Sequence, residues 1–198
     1  MNKKQTSSAT EHPVIDVIKK RRSARAFADM HVEEEKIDSL FEAARWAPSS
    51  VNEQPWRYIY AVKDQLLWSK IYEALNESNQ VWVKNAPLLV ASFALKNFSL
   101  HDRLNSFAKY DLGAANAFLS LQATGLGLQI HQIGGYNAHQ LRENLQIPEE
   151  FELGAVLAIG YAGDPELLPE HLKVRELSPR QRIRQSEFVM NTAFKDNN

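Results

Sequence analysis

The chain has 198 residues, 44% of them hydrophobic, and no cysteine; 23 Lys and Arg face 24 Asp and Glu, for a formal net charge of −1. That apolar share is enough for the core of one domain and argues against global disorder, and the even charge balance argues against nucleic acid as the main partner, which needs a strong basic field. The lack of cysteine excludes disulfides, thiolate catalysis, iron–sulfur clusters and cysteine-ligated zinc.

Residues 1–11 read as a polar, disordered lead without the apolar run of a secretory signal. Pro13 then suits the first turn of a helix with Val14, Ile15, Val17 and Ile18 on one face. That helix ends in the basic run Lys19-Lys20-Arg21-Arg22-Ser23-Ala24-Arg25. A second helix is expected over 33–46, its acidic start matching the positive end of the helix dipole and Ile37, Leu40, Phe41 and Ala44 forming its apolar stripe. Pro48 stops it, and 48–55 is a loop. Trp56 to Val62 reads as a strand. Asp64 is placed to cap a helix running to about Glu77. Pro87 to Leu95 reads as a buried strand, 96–110 fits no regular pattern, and Asp111 to Thr124 reads as a central helix apolar on several sides. A short strand over Leu128–Ile133, a turn at Gly134-Gly135, a helix capped by Asn137 and a buried strand over Leu153–Ala162 follow.

The 30-residue stretch from Leu112 to Leu141 holds no charged residue. Its Asn116, Gln122, Gln129 and Gln132 still fit a buried helix and strand better than a membrane span. Cytoplasm and no membrane are therefore expected. The element order gives an α+β domain over 12–163 with its sheet covered by helices. Residues 164–198 are proline- and charge-rich, with too few apolar residues to fold alone, and are expected to dock as an arm on a partner subunit.

Two basic groups stand out. Guanidinium forks at 21–25, with the Ser23 hydroxyl, suit a phosphate; a solvated helix end is the simpler account from charge alone. Arg175, Arg180, Arg182 and Arg184 form a second group, able to converge on the same anion or merely to make surface ion pairs. The loop Pro48-Ser49-Ser50-Val51-Asn52-Glu53-Gln54-Pro55 is dense in amides and hydroxyls that would suit a planar heterocycle. Gly125-Leu126-Gly127 is not a dinucleotide fingerprint, because Ile130 stands where the third glycine belongs and the order is helix then strand. The six histidines show no metal-ligand spacing, and no nucleophile or acid–base pair announces itself, as expected where a bound cofactor carries the chemistry.

Together, Arg21-Arg22-Ser23-Ala24-Arg25-Ala26-Phe27 and, one helix later, Ala47-Pro48-Ser49-Ser50-Val51-Asn52-Glu53-Gln54-Pro55-Trp56 resemble the nitroreductase family of FMN-dependent oxidoreductases. Asn85-Ala86-Pro87, Asp111-Leu112-Gly113-Ala114-Ala115, Gly134-Gly135-Tyr136-Asn137 and Ile159-Gly160-Tyr161 add weaker matches. The resemblance runs from about His12 to Val189. It implies a three-layer α+β fold with a mostly antiparallel sheet, an intertwined homodimer, and FMN sites at the subunit interface. Electrons from NAD(P)H would pass through the flavin to nitroaromatics, quinones or similar small acceptors, in a ping-pong cycle and with no obligatory catalytic side chain. In this comparison Arg21, Arg22 and Ser23 match binders of the phosphate and ribityl chain, and Arg25 a basic position near the flavin pyrimidine. Pro48, Ser49, Ser50 and Asn52 match a loop supplied by the other subunit, and Asn79 an amide contact to the ring. Gly134 and Gly135 match a turn whose backbone nears flavin N5, and Arg180 and Arg182 a basic pair closing on the phosphate. Several relatives carry Glu where Gly134 falls, so only backbone is available at that point. A specialised flavin enzyme of the same fold (dehalogenase, dehydrogenase or flavin-fragmenting enzyme) and a flavin-binding protein without turnover are the alternatives.

Overall fold

In the computed structural model, which describes residues 6–7, 9–100 and 103–193, four strands form one antiparallel sheet: β2 (Trp56–Val62), β3 (Leu88–Leu95), β4 (Gln129–Ile133) and β5 (Phe151–Gly160), in the order β2-β3-β5-β4. Around it lie α1 (Asp16–Lys20), α2 (Glu34–Arg45), α3 (Leu66–Glu73), α4 (Glu77–Val83), α5 (Ala108–Gly125), α6 (Ala138–Leu145) and α7 (Glu170–Leu177). A second, two-stranded sheet pairs β1 (Thr6–Ser7) with β6 (Arg182–Ile183), so part of the stretch read as a disordered lead pairs with the arm. Residues 1–5 and 8 of that lead, His101 and Phe194 lie outside the described residues.

The three expected layers are present. Alternate residues of β3 and β5 enter two separate cores, as the period-2 pleat requires. Leu89, Ala91 and Phe93 with Val156 and Ala158 pack against α3, α4, α6 and α7. Leu88 and Val90 with Leu157 and Ile159 pack against α2 and α5. Seven of the eight residues of β3 are buried, so this central strand reads as a continuous apolar run. Among the described residues, no helix is long and apolar enough to cross a membrane.

The structure departs from the sequence pattern in four places. The first helix shrinks to the five residues of α1, with no buried side chain; its apolar face stays exposed, Ile15 at 65% and Ile18 at 46%. The helix expected from Asp64 to Glu77 splits into α3 and α4. Gly135 accepts from the Asn76 N–H at 3.1 Å, Ala74 accepts from the Asn137 N–H at 2.7 Å, and Leu75 bridges Tyr136. These bonds take 74–76 out of the helical ladder. Asp64 caps nothing: it turns the chain out of β2 at φ 73°, and Gln65 precedes α3 without a side-chain cap. Asn97 and Leu104 pair in an isolated antiparallel bridge, and α5 starts at Ala108, three residues before the expected point. Asn137 does cap α6, accepting the Gln140 N–H.

The chain after Gly163 first packs on its own subunit. Leu168 and Leu172 enter the core shared by α3, α4 and α6, and α7 carries Arg175 and Glu176 to the sheet edge.

Candidate cofactor site

The segment after α1 runs along the outer edge of β4. Ser23 bridges Ile130 in parallel, Phe27 bridges Ala162, and Gly163 donates to the Ala26 carbonyl at 3.0 Å. The backbone is thereby fixed while the side chains of Arg21, Arg22 and Arg25 point to one place. Across from them stand Arg175 of α7 and, after the Ser178-Pro179 turn, Arg180 and Arg182. Together with Ser23 these six arginines line a cavity of about 230 Å³. The two basic groups, about 150 residues apart in sequence, therefore converge. Arg184 does not join them; it pairs with Glu11 at 4.0 Å.

None of the six guanidiniums forms an ion pair among the described residues, and crowding leaves its mark. Burial first, then the charges of Arg180 and Arg182, hold the Arg21 guanidinium below the usual arginine range. Arg25 is lowered by burial and by Arg175 and Arg22, with Glu176 acting in the opposite sense. Arg180 is spent on structure, donating to the carbonyls of Lys19 and Arg21 and locking the arm to the end of α1. Arg22 donates to the Glu176 carbonyl. Cations gathered in a recess without ion pairs are a donor set for a multiply charged oxyanion such as a phosphate monoester.

His131 supports this segment from below. Its Nδ1 lies 2.9 Å from the Ala24 carbonyl, which can only accept, so Nδ1 carries the hydrogen. The ring packs on Trp82 with centroids 4.6 Å apart. Burial, reinforced by the cations of Arg25, Arg175 and Arg21, pushes its pKa down to about 4. The unfolded chain then binds one more proton than the folded chain between roughly pH 6.5 and 4. Stability should fall as pH drops through that window, by up to about 1.4 kcal/mol per pH unit. Urea midpoints measured from pH 7 to 4 should show this slope, and His131→Gln should flatten it.

Asn79 and the Gly134-Gly135 turn lie together. Asn79 donates from Nδ2 to the Gly135 carbonyl at 2.9 Å. A Cβ on Gly135 would lie 2.6 Å from that same nitrogen, so glycine is what lets the turn approach α4. Gly134 faces open space, with nothing within 4 Å of a Cβ built there.

The loop 48–54 stands elsewhere. Ser50 to Asn52 form one turn of 3-10 helix, and Val51, Asn52 and Gln54 take φ of 47°, 59° and 50°. Three such residues together, one β-branched and 80% exposed, store backbone strain of the kind found at ligand clamps. Buried Asp111 holds the loop by accepting the Ser50 N–H at 3.1 Å, Ser49 Oγ accepts the Gln54 N–H, and Glu53 accepts from the Ser99 N–H. No hydrogen bond among the described residues joins this loop to the six recess arginines of its own chain; Arg57, outside the recess, donates to the Gln54 carbonyl at 3.1 Å. Glu176, Asp111 and His131 were not singled out as site residues from the sequence; a buried acid or histidine has no local signature there.

Comparison with known proteins gives one consistent picture. A family model described as the nitroreductase family matches residues 18–81. A Methanothermobacter thermautotrophicus protein, provisionally named NADH dehydrogenase/NAD(P)H nitroreductase, is 33% identical over 76% of this chain and 78% of its own length. The FMN reductase [NAD(P)H] of Bacillus subtilis is 29% identical over 90% of this chain and 75% of its own. A crystal structure described as an oxidoreductase containing FMN superposes with a TM-score of 0.89 at 34% identity, covering 94% of this chain and 96% of that one.

Proposed function

The chain belongs to the nitroreductase family, and from that premise we propose an FMN-dependent oxidoreductase that takes electrons from NAD(P)H and gives them to small electron-poor acceptors, nitroaromatics and quinones among them. The observation that carries this is the recess of six arginines without ion pairs, a fit for the phosphate dianion of FMN. The flavin, when bound, supplies the hydride-accepting and hydride-donating centre.

This chain's residues have simpler tasks. Arg21, Arg22 and Arg182 would hold the phosphate end with charge-assisted bonds, and Arg25 would stand on the pyrimidine side of the flavin. Gly135, free of a side chain, would bring backbone polar groups up to the ring, with Asn79 fixing the turn. The 48–54 loop, which lines no part of the arginine recess of its own chain, would close the ring site of a second copy. A homodimer also accounts for the unburied apolar faces: Ile18 of α1 with Ile15 just before it, Tyr110 and Phe118 of α5, and Phe188 to Met190 of the arm. We place this dimer in the cytoplasm.

With one open face visited in turn by donor and acceptor, steady-state kinetics should be ping-pong. Double-reciprocal plots of NAD(P)H oxidation at several acceptor concentrations should be parallel; intersecting lines would rule out the shared face. Light scattering of the purified chain should give twice the mass of one subunit.

A further inference from the structure

Six positive charges from three chain segments meet at one recess, and that arrangement has to be stable before any ligand arrives. One carboxylate is buried there. Glu176 is 6% exposed, next in sequence to Arg175 on α7. Its Oε2 accepts the backbone N–H of Arg25 at 3.0 Å, and its own carbonyl accepts the Arg22 guanidinium. Among the described residues, no guanidinium is in an ion pair with this carboxylate.

We infer that Glu176 is the built-in counter-charge of the arginine cradle, a positioning residue that keeps the six arginines assembled without occupying their donors. Because a backbone amide anchors the carboxylate, its charge acts through the local field while its oxygens take up none of the guanidinium donors that a ligand oxyanion would use. The same bond ties α7 to the 21–25 segment, so the charge sits at the junction of the two converging groups. Field effects agree: Glu176 opposes the loss of basicity that Arg175 and Arg22 impose on Arg25.

This inference rests on the anion-binding reading of the recess, not on the identity of the flavin, so inorganic phosphate is the probe. The full chain, stripped of bound cofactor, is melted at low ionic strength with and without phosphate, against sodium chloride at matched ionic strength. Glu176→Gln keeps shape and an acceptor oxygen but removes the charge; Glu176→Asp keeps the charge. The glutamine variant should melt lower than the natural chain without phosphate and regain most of the loss with it. Its phosphate-induced rise in Tm should then be about twice that of the natural chain or more. The aspartate variant should respond like the natural chain. An equal phosphate response in all three, or a loss in the glutamine variant that phosphate does not restore, overturns the role of Glu176. No phosphate response even in the natural chain would instead sink the cradle itself.

Discussion

A chain carrying Arg21→Ala with Arg182→Ala should emerge from purification colourless, with FMN affinity lowered about 10²- to 10⁴-fold. Each charge-assisted bond to the phosphate is worth about 1.5–3 kcal/mol, and two are removed. These two arginines are chosen because the fold does not depend on them. Among the described residues, the Arg21 guanidinium makes no hydrogen bond and the Arg182 guanidinium donates only to its neighbour's carbonyl at 2.8 Å. Removing them also relieves mutual repulsion, since Arg182 is one of the charges that lower Arg21. The stripped double variant should therefore be no less stable than the stripped natural chain. Fluorescence titration with FMN and a melt of both stripped proteins check the two halves of this expectation. Arg180→Ala should behave differently, costing stability as well, because Arg180 ties the arm to the carbonyls of Lys19 and Arg21.

Gly163→Ala should lower stability by about 3 kcal/mol, which is roughly 6–12 °C in Tm for a chain of this size. An added Cβ would lie 2.4 Å from the carbonyl carbon and oxygen of Phe27 and 2.8 Å from the Ala28 nitrogen. These are backbone atoms, so no rotamer change relieves the clash. Relief requires prying residues 26–28 from 161–163, which opens the Gly163 to Ala26 hydrogen bond and the Phe27–Ala162 bridge. The same ladder fixes the 21–25 segment, so FMN affinity should fall along with stability. Gly125→Ala is the control: nothing lies within 4 Å of its added Cβ, and no comparable loss is expected.

Much of the scaffold was legible because it is set by local pattern. The strand expected over Trp56 to Val62 forms over those residues, and α2 buries the stripe of Ile37, Leu40 and Ala44. What failed depends on partners distant in sequence. Nothing in 64–77 itself says that Gly135 and Asn137 will capture the backbone of 74–76. The apolar face at 14–18 is real, but the helix beneath it is short and that face finds no cover in its own subunit. The arginines at 21–25 and 175–182 were visible as charge, yet only the packing of α7 and of the 22–28 segment on the sheet edge shows that they meet. Asp111 was visible as the start of a helix; its bond to Ser50 depends on a loop 61 residues earlier.

The visible absorption spectrum of the purified chain, with the chromophore released by heat and identified, tests the central claim most directly. A yellow protein releasing FMN at close to one per subunit is the predicted result. A colourless protein that also fails to take up added FMN would contradict it, and the arginine recess would then hold some other anion.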